Sequence, residues 1–291
     1  MTSLSRLLVS SVAVIALSST ASAISIRHDV SDAAYIDFAN EHPLSSIGEV
    51  DFGGLGGGSG TYLGFGNGAH WVLTAGHMTA GLAVTSVIFG GEVIAALGQI
   101  THPGSAFADD LGLIQIASAP TGIAPIRFTA QSDLIGERVI FGGYGLHGDG
   151  INGALAYDGA NRGAENIVDD TQIYGFGGLW VTNFTNPNEG SALPLEGTTA
   201  PGDSGGGMFW HDGTDWRLAG VTSIGTEQFS RYGDQSGFVA LYKNISWLEQ
   251  NTGIMAIMAV PDTASSAVLL VTGLALLGGL RRRLSGAKIR D

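Results

Sequence analysis

The chain has 291 residues, 46 of them glycine and none cysteine, with 13 Lys plus Arg against 26 Asp plus Glu and a formal charge of −13. Without cysteine there are no disulfides, no zinc–thiolate sites and no thiol nucleophile, and the acidity argues against nucleic acid as a partner, because phosphate repels it. Hydrophobic residues at 44% suffice for a core, and glycine scattered between short apolar runs points to an all-β protein with tight turns.

Met1–Ala23 reads as an export signal. Arg6 supplies the positive start, Leu7–Leu17 is mostly apolar, and Ala21-Ser22-Ala23 forms a small-residue cleavage site. Cleavage there leaves Ile24 as the new N-terminus. Asp32–Asn40 fits a short helix, with Pro43 beyond it. The run Phe52–Gly60 is too glycine-rich to hold as a strand by itself and reads as a loop or a place where backbones pass closely.

Short strand patterns follow at Thr61–Phe65, Trp71–Thr74, Val84–Phe89, Val93–Ile100 and Leu111–Ile116. A second group comprises Arg138–Phe141, Leu179–Phe184, Met208–Trp210 and Leu218–Ile224. Many short strands divided by turn residues argue for a barrel or sandwich. Gly142–Asn166 is polar and glycine-rich, and reads as a surface loop or irregular hairpin. Leu241, Ile245 and Leu248 recur at helical spacing and predict a helix over Leu241–Gln250.

At the C-terminal end Val260-Pro261-Asp262-Thr263 precedes an apolar run, Ala264–Leu280, with Arg281-Arg282-Arg283 directly after it. Seventeen residues is the short limit for a membrane-spanning helix, and the arginines would stay on the cytoplasmic side. This order of motif, apolar helix and arginine cluster resembles the PEP-CTERM sorting signals of the Val-Pro-Asp variant. That resemblance implies an exosortase-type sorting enzyme as partner, membrane anchoring through the helix, and possible removal of the tail. Residues 24–261 carry 7 basic against 24 acidic side chains, a net −17, and the basic residues collect at the C-terminal end. The division expected is a signal peptide at 1–23, a catalytic domain at 24–253 and a sorting or transmembrane segment at 260–291.

Three segments carry the chemistry. Trp71–His77 runs a strand into a small-residue turn bearing His77. Asp109-Asp110-Leu111-Gly112-Leu113 puts an acid at the head of an apolar strand. Pro201-Gly202-Asp203-Ser204-Gly205-Gly206-Gly207 holds a serine in a glycine turn. Each alone has a bland reading, as a structural His or a turn residue; together, in the order His, Asp, Ser, they are specific. A serine hydroxyl is a poor nucleophile until an imidazole takes its proton. A carboxylate must then hold that imidazole in one tautomer, and backbone N–H groups must meet the oxyanion. Gly202 and Ser204 are the natural donors. Asp169-Asp170 reads as a solvated turn rather than a calcium site.

Leu73–His77, Asp110–Leu113 and Gly202–Gly206 resemble the three signatures of the trypsin/chymotrypsin family. Leu218–Gly225 is similar to the family's cleft strand, and Gly237-Phe238-Val239 with the final helix is similar to its end. The resemblance covers roughly residues 45–250. It implies two six-stranded antiparallel β-barrels with a C-terminal helix, a serine endopeptidase acting on protein or peptide, and no cofactor or metal. It assigns His77, Asp110 and Ser204 as the triad, with Asp110 rather than Asp109 in the family position. It places Thr198, Ser223, Gly225 and Gly237 at the primary specificity pocket, which lacks an acid, so a neutral or apolar residue before the cut is expected. Asp203 stands where the family pairs an aspartate with a newly exposed amine, although no Ile-Val-Gly-Gly start is present; Ile24 after signal cleavage is one candidate for that amine. The competing reading is an inactive cell-surface binding module with the same fold. The expected location is the cell envelope or the exterior.

Overall fold

The computed structural model describes residues 23–258, except 55, 56, 105 and 228. The expected signal and C-terminal sorting helix lie outside the described residues, apart from Ala23 at the signal's end. Among the described residues no helix is long and apolar enough to cross a membrane.

In chain order, β1 (Ser25–Ile26) and α1 (Asp32–Ala39) lead into β2 (Ile47–Asp51), β3 (Gly57–Gly66), β4 (Ala69–Thr74), α2 (Gly76–Thr79), β5 (Ser86–Phe89), β6 (Glu92–Thr101) and β7 (Gly112–Ile116). Strands β2–β7 close into a six-stranded barrel in the order β2-β3-β4-β7-β6-β5. Its two-residue hairpins follow from sequence. Asn67-Gly68 joins β3 to β4 and Gly90-Gly91 joins β5 to β6, each pair at positive φ, the backbone that the twist of a tight hairpin demands. Val50, Tyr62, Val72, Val87, Phe89, Ile94, Ile114 and Ile116 fill the interior.

The glycine-rich run is where backbones and side chains pass closely, and it is also strand. A Cβ on Gly60 would sit 2.6 Å from Val72 Cγ1, and one on Gly58 would strike the end of Met78 and lie 3.1 Å from the Ser204 carbonyl. Pairing with β2 along Gly57–Gly60, with Ser59 N–H donating to the Ser204 carbonyl on the other side, stabilises glycines that could not hold a strand alone.

The second unit comprises β8 (Arg138–Gly143), β9 (His147–Asp149), β10 (Gly153–Ala156), β11 (Arg162–Ile167), β12 (Asp170–Ile173), β13 (Phe176–Asn183), β14 (Gly197–Thr198), β15 (Gly207–His211), β16 (Trp216–Gly225) and β17 (Gln235–Ala240). Seven of these form a sheet in the order β11-β8-β15-β16-β17-β13-β12, a half-barrel rather than a second fully closed one. A four-stranded sheet, β10-β9-β1-β14, lies beside it. The all-β, two-unit architecture with a terminal helix α3 (Ile245–Thr252) is as the sequence implied.

Gly142–Asn166 is not a surface loop throughout; of the two alternatives the irregular hairpin is present, as β9–β10 with a register shift. It contains the end of β8, the β9–β10 hairpin and most of β11, whose first five residues are buried. Arg162 misled the reading: its guanidinium is buried, held by Asp32 at 2.6 and 2.8 Å and by Asp158 at 2.7 and 3.0 Å. The largest apolar cluster unites the two units through Leu73, Leu111 and Leu113 on one side and Phe209, Val221 and Val239 on the other. The His, Asp and Ser segments all sit against that shared core.

Candidate active site

His77 follows β4 directly. Thr74 Oγ1 donates to the Ser59 carbonyl at 2.7 Å, which pins the strand end, and the chain then turns once through α2. A Cβ on Gly76 would lie 2.9 Å from Leu111 N and 3.0 Å from Asp110 Oδ1, so glycine lets the turn press against the acid. The His77 backbone N–H donates to Asp110 Oδ1 at 2.7 Å, and Nδ1 lies 2.8 Å from Asp110 Oδ2. With the Nδ1 proton directed at a carboxylate, the Nε2 lone pair is the one left for chemistry.

Asp110 ends a short 3-10 turn, Phe107–Asp109, just ahead of β7. Its side chain is 16% exposed against 47% for His77. Ser223 Oγ on β16 donates to Asp110 Oδ2 at 2.6 Å. Burial opposes ionisation here, but the hydrogen bond and charge of His77, the Ser223 hydroxyl and the His77 backbone N–H outweigh it. They hold the carboxyl below its usual range. Asp109 makes no bond to His77 among the described residues, so Asp110 is the partner.

Ser204 lies in the turn between β14 and β15. Asp203 N–H donates to Ala200 O at 3.0 Å, Gly206 N–H to Asp203 O at 2.8 Å and Gly205 N–H to Thr222 O at 2.9 Å, while the Ser204 carbonyl accepts from Ser59 N–H at 2.8 Å. Gly202 and Gly205 have φ of 95° and 91°, which a side chain would resist. Neither the Gly202 N–H nor the Ser204 N–H has an acceptor among the described residues. Two unspent donors flanking a serine in a turn are what an oxyanion requires. Ser204 Oγ makes no hydrogen bond to His77; such bonds in unliganded enzymes are often long and tighten with substrate. Ser223 borders both the cavity that holds His77 and the one that holds Ser204.

The family profile described as Trypsin matches residues 57–248, a span that contains His77, Asp110 and Ser204. The chain belongs to the trypsin family. Solved structures similar to it include HL collagenase, at 19% identity and TM-score 0.52, covering 72% of this chain and 93% of that one. Another is neuropsin, a serine protease expressed in the limbic system of mouse brain, at 20% identity and TM-score 0.57, covering 72% and 95%. At these identities the likeness speaks to fold. No curated protein matches the chain significantly. The trypsin-like fold, with serine protease neighbours, supports a peptidase.

Asp203 occupies a different environment. It is fully buried. Its carboxylate accepts N–H bonds from Ala200 at 2.7 Å, Ile24 at 3.0 Å and Gly145 at 2.8 Å. Burial raises its carboxyl to about 7, against the pull of those three N–H groups and the distant Arg162 charge. Ile24 and Ala23 are themselves fully buried, and Ile24 has φ of 52°, a strained value for a β-branched residue.

Ser223 and Gly225 line the cavity beside Ser204; Thr198 and Gly237 are not among its lining residues. Thr198 is bonded beneath it, its hydroxyl 2.7 Å from Ser236 Oγ. Thr199, the next residue, reaches the cavity instead. Sequence reasoning missed Thr199, Ser236 and Ser59, since a lone hydroxyl residue carries no motif. Ser59 joins the barrels: its Oγ accepts from Tyr144 N–H at 2.9 Å and donates to Gly202 O at 3.4 Å. Elsewhere Asp32, His147 and Asp158 place one ligand-type atom each within 4.8 Å of one another. The Arg162 guanidinium already neutralises both of those carboxylates, so they form an ion-pair cluster.

Proposed function

We propose that the protein is an exported serine endopeptidase in which Ser204 attacks the peptide carbonyl, His77 Nε2 takes the hydroxyl proton, and Asp110 stays ionised to orient and stabilise the imidazolium. The Gly202 and Ser204 N–H groups receive the oxyanion, and His77 then protonates the leaving amine. The observation that carries this is the His77 Nδ1 to Asp110 Oδ2 contact of 2.8 Å, set beside a serine turn with two unspent N–H donors. A binding module would not require either feature. The test is a fluorophosphonate probe on purified protein, followed by casein turnover. Labelling that disappears in Ser204→Ala, with casein cleaved only by the unaltered chain, is expected. Absence of labelling in folded protein would leave the binding module standing, and labelling without casein cleavage would point to ester hydrolysis.

Export is proposed on the order of Arg6, the apolar Leu7–Leu17 run and Ala21-Ser22-Ala23, and retention at the envelope on the Val260-Pro261-Asp262 motif with its apolar run and arginines. Activation by removal of the leader joins these to the site. Cutting after Ala23 would turn the Ile24 N–H, already 3.0 Å from Asp203, into an ammonium beside a buried carboxylate that meets no cation among the described residues. The same cut removes the preceding carbonyl carbon that defines φ at Ile24, and with it a strain of roughly 1–3 kcal/mol. Full activity in a chain with extra residues ahead of Ile24 would defeat this activation scheme and leave the peptidase reading intact.

A further inference from the structure

The cavity beside Ser204 has a volume of about 280 Å³, and its chemistry is set by hydroxyls rather than by charge or carbon. Thr199, Thr222, Ser223, Thr226 and Ser230 all border it. Some of these are already engaged. Ser223 Oγ–H is given to Asp110, and Thr226 Oγ1 accepts from Gln235 N–H at 2.8 Å. Thr199 Oγ1 donates to Ser236 Oγ at 2.9 Å. Ser236 Oγ also accepts from Thr199 N–H and lies 2.7 Å from Thr198 Oγ1, so its capacity is filled. With its proton fixed on Ser236, Thr199 Oγ1 has only lone pairs to offer the cavity, and it waits for an N–H.

Two hydroxyls remain unspent. Thr222 is 4% exposed and its Oγ1 is buried without a partner among the described residues. A change to another staggered rotamer about its Cα–Cβ bond is needed to turn that hydroxyl to a ligand. Ser230, at φ of 54°, is 2% exposed and bonds to nothing among the described residues through its hydroxyl. An orphaned polar group next to an apolar ligand costs roughly 1–3 kcal/mol. Among the described residues the one charged residue at the cavity, Glu227, is exposed.

Resting on the serine peptidase reading, we infer that this cavity selects a primary amide side chain, glutamine, as the residue before the scissile bond. The amide NH2 meets the Thr199 lone pairs, and the amide oxygen accepts from the Thr222 and Ser230 hydroxyls. A carboxylate would face those lone pairs with acceptors only and would approach past Glu227. Lysine or arginine would find no buried carboxylate to answer its charge. Leucine or phenylalanine would leave the Thr222 and Ser230 hydroxyls unpaired and the Thr199 lone pairs unused, and sites built to hydrogen-bond reject analogues that lack the partner group.

The experiment is a panel of otherwise identical fluorogenic peptides carrying Gln, Asn, Glu, Lys, Leu or Ala before the cut, used with unlabelled protein whose active fraction is fixed by fluorophosphonate titration of a separate sample. The result expected is the highest kcat/KM for Gln, above Leu by roughly 10²-fold or more. In Thr199→Val and Thr222→Val, each verified as folded by its thermal transition, the Gln preference over Leu should shrink roughly tenfold, the loss of one hydrogen bond. A best substrate with Leu, Glu or Lys in protein that labels at Ser204 overturns the inference and spares the peptidase reading. A protein that neither labels nor cleaves any peptide removes both.

Discussion

Asp110 and Asp203 each accept three hydrogen bonds, yet their surroundings drive them in opposite directions. Asp110 takes its bonds from the His77 N–H, the His77 ring and the Ser223 hydroxyl, and sits below the usual carboxylate range. Asp203 takes three backbone N–H bonds and is raised to about 7. Hydrogen-bond number is equal, so it is not what separates them. Asp110 keeps partial contact with solvent beside a ring that can carry charge. Asp203 is fully buried, with no cation in contact among the described residues. On the proposed activation scheme the second carboxylate gains a cation only after cleavage, whereas the first needs none.

Breaking the first site should have the largest effect. Asp110→Asn preserves the shape but lets the amide donate to Nδ1, which favours the wrong imidazole tautomer. A fall in kcat of roughly 10⁴-fold is expected, with the thermal transition little changed. Steady-state kinetics on the best peptide measures it. A fall of less than tenfold would mean that His77 does not act as the base.

The second site is sharpened by comparing the chain before and after cleavage at Ala23–Ile24. In the cleaved chain, Asp203→Asn strands a buried ammonium, and stability in urea should drop by about 3–5 kcal/mol. In the uncut chain the same change removes a carboxylate that burial disfavours, and the loss should be much smaller. The pH dependence carries the same contrast. The unfolded carboxyl titrates near 3.8 and the folded one at about 7, so the uncut fold holds more protons in that interval. Its stability is then greatest at the acid end of the Asp203 titration and declines as pH rises towards 7. Pairing with an ammonium should abolish that decline. Urea titrations from pH 4 to 8 on both forms test it; parallel curves would show that Ile24 does not supply the missing charge.

This contrast also marks how far the sequence could be read. The His77, Asp110 and Ser204 segments were legible because each joins a chemical residue to a backbone signal, a strand end or a glycine turn. The strands of the closed barrel were legible as short apolar runs between turn residues, such as Trp71–Thr74 and Leu111–Ile116, and the barrel itself only through the family resemblance. The run from Gly142 to Asn166 was not, because Arg162 and Glu165 look like surface residues until Asp32, more than a hundred positions earlier, is brought to Arg162. Thr199 and Ser236 were equally silent. A hydroxyl acquires direction only from its partners, and these two find each other across 37 positions.

The smallest change expected lies in the bond that links the triad to the cleft strand. Ser223→Ala removes one of the three bonds to Asp110 and leaves the two from His77 in place. The carboxyl should therefore move up towards its ordinary range without reaching it. For an acid held below its unfolded value, the stability contributed is present at neutral pH and lost as pH falls through the folded value. The variant should lose about 1 kcal/mol at neutral pH and show a shallower acid decline. Because the imidazole keeps its tautomer and its backbone anchor, kcat should fall by less than tenfold, against roughly 10⁴-fold for Asp110→Asn. A loss in Ser223→Ala as large as that would mean that the hydroxyl, rather than the His77 backbone N–H, sets the carboxylate's position, since among the described residues it is the hydrogen bond that ties Asp110 to the second unit across the cleft.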